Sequence, residues 1–174
     1  MSHAMATHRL ATAADLEAVH AIYMHEDVVP FLGFDPMPLR AFEGVFRNLL
    51  ATRAFHVVEQ DGEVAGFYRL SRHEGRARHV AYLGTFAVAP RAQGSGLALR
   101  IIEAVTDRLQ GEGVLRFELM LEADNPRAHR FYSKLGFVEE GRLRSAYKRA
   151  SDGHYTDEIL MAKLLPAAQP QRLL

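Results

Sequence analysis

The stretch "FAVAPRAQGSGLALRIIEAV", residues 86–105, passes from a short apolar run through a glycine-containing loop into an amphipathic helical pattern. Glycine occurs where a backbone turns sharply or approaches another group closely, so Gly94 and Gly96 indicate a closely approached loop. The following helix leaves its first N–H groups unpaired and carries partial positive charge there, which favours anions such as phosphates. Arg91 adds a nearby cation. The stretch therefore predicts a phosphate-binding loop, and an ordinary strand-to-helix turn with two glycines is the alternative.

Two familiar phosphate motifs do not match this loop. A P-loop needs Gly-Lys followed by Ser or Thr, whereas Gly94 is followed by Ser95, Gly96 and Leu97. The dinucleotide-binding fingerprint needs a third glycine, but position 99 is leucine. Nucleoside triphosphate hydrolysis and a Rossmann cofactor are both disfavoured.

The composition excludes several classes of function. The chain has 174 residues, 48% of them hydrophobic, which suffices for the core of one domain. Its 21 basic residues balance 21 acidic ones, so no overall basic field favours nucleic acid. Cysteine is absent, which excludes disulfides and acyl-cysteine intermediates, and the nine histidines show no metal-binding spacing. No apolar run approaches the roughly 18 residues of a membrane span, and we expect a cytoplasmic protein without a catalytic metal.

Periodicity and turn signals predict the element order β-α-α-β-β-β-α-β-α-β-β within one domain, residues 6–166. Asp61-Gly62 and Asp152-Gly153 are hairpin signals, and Asn125-Pro126 begins a helix. The strand, helix and strand of residues 78–121 should form a right-handed parallel crossover in a mixed sheet. Residues 1–5, "MSHAM", resemble a cloning remnant or a disordered start with Met5 as a candidate natural start, and residues 167–174 should form a C-terminal tail.

Two segments carry a resemblance to a known family. The loop Arg91-Ala92-Gln93-Gly94-Ser95-Gly96 matches the pattern Arg or Gln, two residues, Gly, one residue, Gly or Ala, after a strand that ends at Val88. The segment "NPRAHRFYSKLGF" resembles a second family motif at five positions: Asn125, Ala128, Tyr132, Gly136 and Phe137. The chain resembles the GNAT superfamily of acetyl-coenzyme A-dependent N-acetyltransferases over most of its length. The resemblance implies the α/β (α+β) GNAT fold, a central mixed, mostly antiparallel sheet of six to seven strands with about four helices.

The resemblance also implies a site for acetyl-CoA as cosubstrate. The backbone of the strand before the loop would pair with the pantetheine arm as an added strand, and the loop N–H groups would hold the pyrophosphate. Asn125 would hydrogen-bond the pantetheine arm, with plain N-capping of its helix as the alternative. The predicted cofactor-binding residues are Phe86, Ala87, Val88, Arg91, Gln93, Gly94, Ser95, Gly96, Leu97, Ala98, Asn125, Ala128 and Tyr132.

In the family, a tyrosine at the position of Tyr132 donates a proton or hydrogen bond to the departing thiolate. A thiol pKa near 8.5 and a phenol pKa near 10 make full proton transfer uphill by about 2 kcal/mol, which favours a stabilising hydrogen-bond donor. A core tyrosine that packs on Phe131 is the alternative.

The general base is open at this stage. Many relatives carry a glutamate on the strand before the loop, where this chain has Tyr82, and protein-acetylating relatives often have an acid where it has Met120. Tyr82 is therefore a candidate catalytic position. Other candidate bases, each more often structural or solvated, are His25, Glu26, Asp27, His56, Glu118 and Asp157. A water chain to backbone carbonyls is a further alternative.

The expected activity is transfer of an acetyl group from acetyl-CoA directly to a primary amine. The acceptor is a small amine, polyamine, amino-acid-like molecule or protein N-terminus, with no nucleic acid or membrane partner, and a homodimer is an open alternative. A non-catalytic acyl-CoA sensor is the competing class: the missing glutamate favours it, and the retained Tyr132 argues against it.

Overall fold

The computed structural model describes residues 6–149 and 152–166, where the chain forms seven strands and four α-helices in the predicted order. The strands are β1 (Thr7–Leu10), β2 (Phe55–Gln60), β3 (Glu63–Arg72), β4 (Val80–Val88), β5 (Arg116–Glu122), β6 (Val138–Lys148) and β7 (Tyr155–Leu164). The helices are α1 (Leu16–Tyr23), α2 (Leu39–Ala51), α3 (Leu97–Gly111) and α4 (Pro126–Lys134). The expectations for residues 1–5 and 167–174 lie outside the described residues.

All seven strands form one mixed sheet in the order β1-β2-β3-β4-β5-β7-β6. The pair β4 and β5 is parallel, and every other neighbouring pair is antiparallel. Because α3 connects the two parallel strands, the predicted parallel crossover is confirmed. The predicted mixed, mostly antiparallel sheet is confirmed as well.

Local sequence signals explain where several elements begin and end. Asp61 and Gly62 have φ of 55° and 80°, which both central positions of a tight hairpin turn between β2 and β3 require. The Asn125 side chain accepts a hydrogen bond from the Ala128 N–H at 3.0 Å, with Pro126 at the first helical position. These signals were readable in the sequence because each depends on neighbouring residues alone.

The two faces of the sheet are covered unequally. Helices α3 and α4 cover one face, where residues such as Ile101 and Tyr132 pack with Leu119 and Met161. Helices α1 and α2 cover only the β2–β4 side of the other face, where Phe42 belongs to their cluster. The β5 and β7 part of that second face lacks an α-helical cover in the described residues, which leaves room for a cavity.

Strands β4 and β5 diverge halfway along their length. Their pairing covers Val80–Leu83 and Arg116–Leu119, and the second half of β4 has no β5 partner in residues 6–149 and 152–166. A β-bulge sits at the point of divergence, where Thr85 has φ of 45° and the β3–β4 register shifts. The divergence opens a wedge at the carboxyl ends of the parallel strands, and α4 begins beside it.

Candidate active site at the diverging strands

Two adjoining cavities occupy the wedge. The inner cavity, about 230 Å³, lies between β4, β5 and β7, and its polar lining includes Arg69, Tyr82, Glu122, Tyr147 and Glu158. The outer groove, about 250 Å³, follows the end of β4 and the start of α4. The residues that line both are Phe31, Leu32, Phe86, Asn125, Ala128 and Tyr132. A molecule in the outer groove therefore meets a molecule in the inner cavity beside Tyr132.

The outer groove collects most of the residues that the sequence predicted to bind the cofactor. Those that line it are Phe86, Ala87, Val88, Gln93, Ala98, Asn125, Ala128 and Tyr132. Arg91 lies away from the groove, because its guanidinium is bonded to the Val64 carbonyl and to Glu63 at 3.0 and 2.9 Å. The Leu97 side chain is fully buried in the core, so only its backbone can face a ligand.

The glycine loop has the geometry of an anion-binding loop. Gly94 and Gly96 have φ of 76° and 79°, a region that side chains with a Cβ rarely adopt. The Ser95 hydroxyl donates to the Ala92 carbonyl at 2.6 Å and braces the loop from within. Within the described part of the chain, the N–H groups of Gly94, Gly96 and Ala98 have no protein acceptor. A methyl group at position 94 would enter open space, so the residues present fit a bound pyrophosphate.

Tyr132 packs in an aromatic cluster and also lines the junction of the two cavities. Its ring packs on Phe131 and Phe137, with ring centroids 5.1 and 5.5 Å apart. Its side chain also lines both cavities at their junction. Burial raises the pKa of the Tyr132 hydroxyl well above its ordinary value, which keeps the phenol protonated and available as a hydrogen-bond donor.

The inner cavity does not contain any of the six alternative bases named from sequence. Glu118 is held by Arg116 at 2.7 Å and by His73 at 3.2 Å. Asp157 accepts a hydrogen bond from the Ser145 N–H at 2.8 Å. His56 stacks on Tyr68 elsewhere in the molecule, and Asp27 lines the outer groove. His25 and Glu26 lie outside both cavities.

Tyr82 and Met120, the two positions at which the family resemblance implied an acid, do line the inner cavity. Burial, followed by the nearby Glu158 carboxylate, raises the pKa of the Tyr82 hydroxyl. Tyr82 therefore stays protonated near neutral pH, so it can donate or accept a hydrogen bond but is a poor base.

Sequence reasoning missed the two carboxylates of the inner cavity. Glu122 is buried and pairs with Arg149, which neutralises its charge. Glu158 has no ion-pair or hydrogen-bond partner among the described residues, and burial raises the pKa of its carboxyl group. The strand register brings the two carboxylates to the same cavity, because Glu122 lies directly opposite Glu158 in the β5–β7 pair. The alternation of β7 places Glu158 on the opposite face from buried Ile159, but only the sheet order shows which cavity that face lines.

Other kinds of site are not evident in this part of the chain. Residues 6–149 and 152–166 hold no cluster of three or more His, Asp or Glu side chains suited to a metal ion. Over the same residues, no helix has the length and apolar character needed to cross a membrane.

The fold is an α/β domain built on one mixed sheet with a wedge between two diverging parallel strands, and comparison with known proteins identifies its family. The model of the acetyltransferase (GNAT) family matches residues 16–137. This match spans most of the chain, which therefore belongs to the acetyltransferase (GNAT) family.

Individual relatives resemble the chain at different levels. A mycothiol acetyltransferase of Streptomyces coelicolor is 36% identical over 85 residues, which are 48% of this chain and 26% of the relative, so the chain matches about a quarter of that protein. The ribosomal-protein-S18-alanine N-acetyltransferase of Escherichia coli is 27% identical with a TM-score of 0.73, over 98% of this chain and 99% of the other. Spermidine N-acetyltransferase of Vibrio cholerae, in complex with CoA and spermine, shares the fold with a TM-score of 0.75 at 24% identity, over 91% of this chain and 95% of that one.

Proposed function

We propose that this protein transfers an acetyl group from acetyl-CoA directly to a primary amine, which it binds in the inner cavity. One observation carries the proposal: Tyr132 stands where the outer groove meets the inner cavity, beside the unpaired second half of β4. A cofactor arm laid along β4 would bring its end to that junction. Acetyl-CoA supplies an activated thioester there.

The chain offers a distinct contact for each part of the cofactor. Backbone groups of Phe86–Val88 face the wedge without a β5 partner and are free to pair with an extended arm. The unpaired N–H groups of Gly94, Gly96 and Ala98 suit the pyrophosphate, because they lie at the start of α3. The side-chain oxygen of Asn125 accepts the hydrogen bond that caps the helix, which leaves its amide N–H₂ free to donate to the pantetheine arm.

We assign the general base to Glu158. An alkylamine of pKa near 10.4 is mostly protonated at pH 7, so freeing its lone pair costs about 4 to 5 kcal/mol. Glu158 lines the inner cavity, lacks a cation partner among the described residues, and has a raised pKa because it is partly buried. These properties suit a carboxylate that takes a proton from a bound ammonium group.

The proposed reaction balances as follows. The ammonium group of the acceptor gives one proton to Glu158, and the freed nitrogen forms a bond to the acetyl carbon while the carbon–sulfur bond breaks. The nitrogen loses its second proton in that step, and the departing sulfur can take it up. Tyr132 donates a hydrogen bond to the sulfur as negative charge develops there.

The test measures thiol release from acetyl-CoA with an unbiased panel of amines, and identifies each product by a mass increase of one acetyl group. Amine-dependent release is the expected result. Tight binding of acetyl-CoA without release for any amine would instead favour the acyl-CoA sensor, which the missing glutamate at position 82 had raised as the alternative.

A further inference from the structure

The inner cavity contains a second charged group, Arg69, whose position depends on a glycine. Arg69 on β3 pairs in register with Gly84 on β4, and both residues lie beside Tyr82. A methyl group at position 84 would lie 3.0 Å from Nη2 of Arg69 and 3.3 Å from its Nε. The guanidinium thus lies across the bare Cα of Gly84 and forms part of the cavity lining.

Arg69 has no protein partner within the described residues. Two other arginines near the sheet ends are paired: Arg149 with Asp124 at 2.8 Å, and Arg116 with Glu140 at 2.6 Å. Arg69 forms no ion pair or hydrogen bond there through any of its nitrogens, whereas Arg149, whose Nε is likewise covered without an acceptor, is paired through its Nη atoms. A guanidinium without any partner in a partly covered cavity is costly, so its presence there favours a ligand that binds it.

The same cavity also holds an unpaired anion. Glu158 lines the cavity with Arg69, but no ion pair joins the two side chains. Glu122, the other carboxylate of the cavity, is already neutralised by Arg149. One cation and one anion, separated and each without a partner, suit a ligand that carries both charges.

We infer that the acceptor is a small amino-acid-like zwitterion, with its amine at Glu158 and its carboxylate at Arg69; this rests on the proposed function. A guanidinium fork matches a carboxylate with two parallel hydrogen bonds. A polyamine would instead bring a second ammonium group towards Arg69, and like charges in a partly buried site repel each other. A cavity of about 230 Å³ also suits a small acceptor, because sites for larger ligands measure roughly 300 to 1,000 Å³.

The test compares matched acceptors that differ only at the carboxylate. Each α-amino acid of a panel is assayed beside its amide and its decarboxylated amine, and kcat/KM is expressed per ammonium form, which is the form that the proposed reaction binds. A hydrogen-bonded charge pair predicts that the preferred acid exceeds its decarboxylated amine by roughly ten- to a hundredfold.

Variants of Arg69 assign that preference to one side chain. Arg69→Gln should bring the ratio of acid to decarboxylated amine close to one, and Arg69→Lys should retain part of it, because the charge remains while the fork is lost. The ratio is measured within one enzyme preparation, so partial misfolding does not change it. Arg47→Gln removes an exposed arginine of α2 and is the matched control, with an unchanged ratio.

Each outcome decides the inference. Equal rates for acid and decarboxylated amine in the unmodified protein would overturn it while leaving the proposed function intact. Equal rates for acid and amide would assign Arg69 to a carbonyl group, as in a peptide N-terminus, and would also overturn it. Absence of turnover with every amine, despite acetyl-CoA binding, would remove the proposed function itself.

Discussion

Replacing the proposed base, Glu158→Gln, is the most informative perturbation of this site. Glutamine keeps the shape of the side chain, and Glu158 has no ion pair among the described residues that the change would break. Positioned general bases contribute about 10²- to 10⁴-fold, and an alkylamine at pH 7 needs about 4 to 5 kcal/mol for deprotonation. We expect kcat/KM to fall about a hundredfold at pH 7.

The pH dependence of this loss follows from the direction of the pKa shift. Burial raises the pKa of Glu158, so in the unmodified protein kcat/KM should rise with pH as this carboxyl group ionises. That limb should keep one pKa across acceptors of different basicity, whereas a limb set by the amine should track the acceptor. In Glu158→Gln the part of the pH profile whose pKa is the same for all acceptors should vanish. The difference in kcat/KM from the unmodified protein should shrink at high pH, because the amine then deprotonates without help from a base.

The assay is steady-state thiol release from pH 5.5 to 10 with at least three amines of different pKa. Glu118→Gln is the matched control, since Glu118 is a half-buried glutamate of the same sheet that lies outside the inner cavity. Survival of the constant limb in Glu158→Gln would refute the assignment of the base. Loss of the limb in Glu118→Gln instead would move the base to that residue.

Three further predictions concern the donor, the loop and the core. Tyr132→Phe keeps the aromatic packing but removes the hydroxyl, so kcat should fall about ten- to a thousandfold while the acetyl-CoA affinity measured by calorimetry stays nearly unchanged. An unchanged kcat under conditions where chemistry limits the rate would contradict the role of the Tyr132 hydroxyl. Gly94→Val places a β-branched side chain at φ of 76° and into the predicted pyrophosphate space, so acetyl-CoA should bind at least tenfold more weakly. Gly113→Val, at φ of 77° beyond the opposite end of α3, should lose stability but not affinity. Burial lowers the pKa of His56, so the stability that this neutral side chain provides is present above pH 6.5 and is lost as the pH falls below it, by up to about 1.4 kcal/mol per pH unit. In urea unfolding from pH 5 to 8, His56→Phe, which retains a ring stacked on Tyr68, should weaken this dependence of stability on pH. An unaltered dependence would contradict the assignment to His56.

The sequence by itself determined the order of the elements, the glycine loop and the helix that carries Tyr132. Hairpin turns, helix caps and positive-φ glycines depend on residues a few positions apart, so their signals at Asp61-Gly62 and Asn125-Pro126 are readable without a fold. The two motifs that carry the family resemblance are local in the same sense. Asn125 caps α4 and Tyr132 packs in an aromatic cluster, so the residues to which we assign functional roles also have structural ones.

Only the tertiary structure decided which charged groups share the inner cavity. Arg69, Tyr82, Glu122 and Glu158 come from four different strands, and they meet because β7 inserts between β5 and β6 while β4 diverges from β5. Strand alternation predicts which side of its own strand a residue occupies, but not which strand lies beside it or where two strands separate. Glu158 and its neighbour Asp157 illustrate this: both are acidic, yet they point to opposite faces, and the sheet order gives only Glu158 access to the cavity. The base and the acceptor contact that we propose were therefore hidden from sequence reasoning, because sheet pairing between distant segments brings their side chains together.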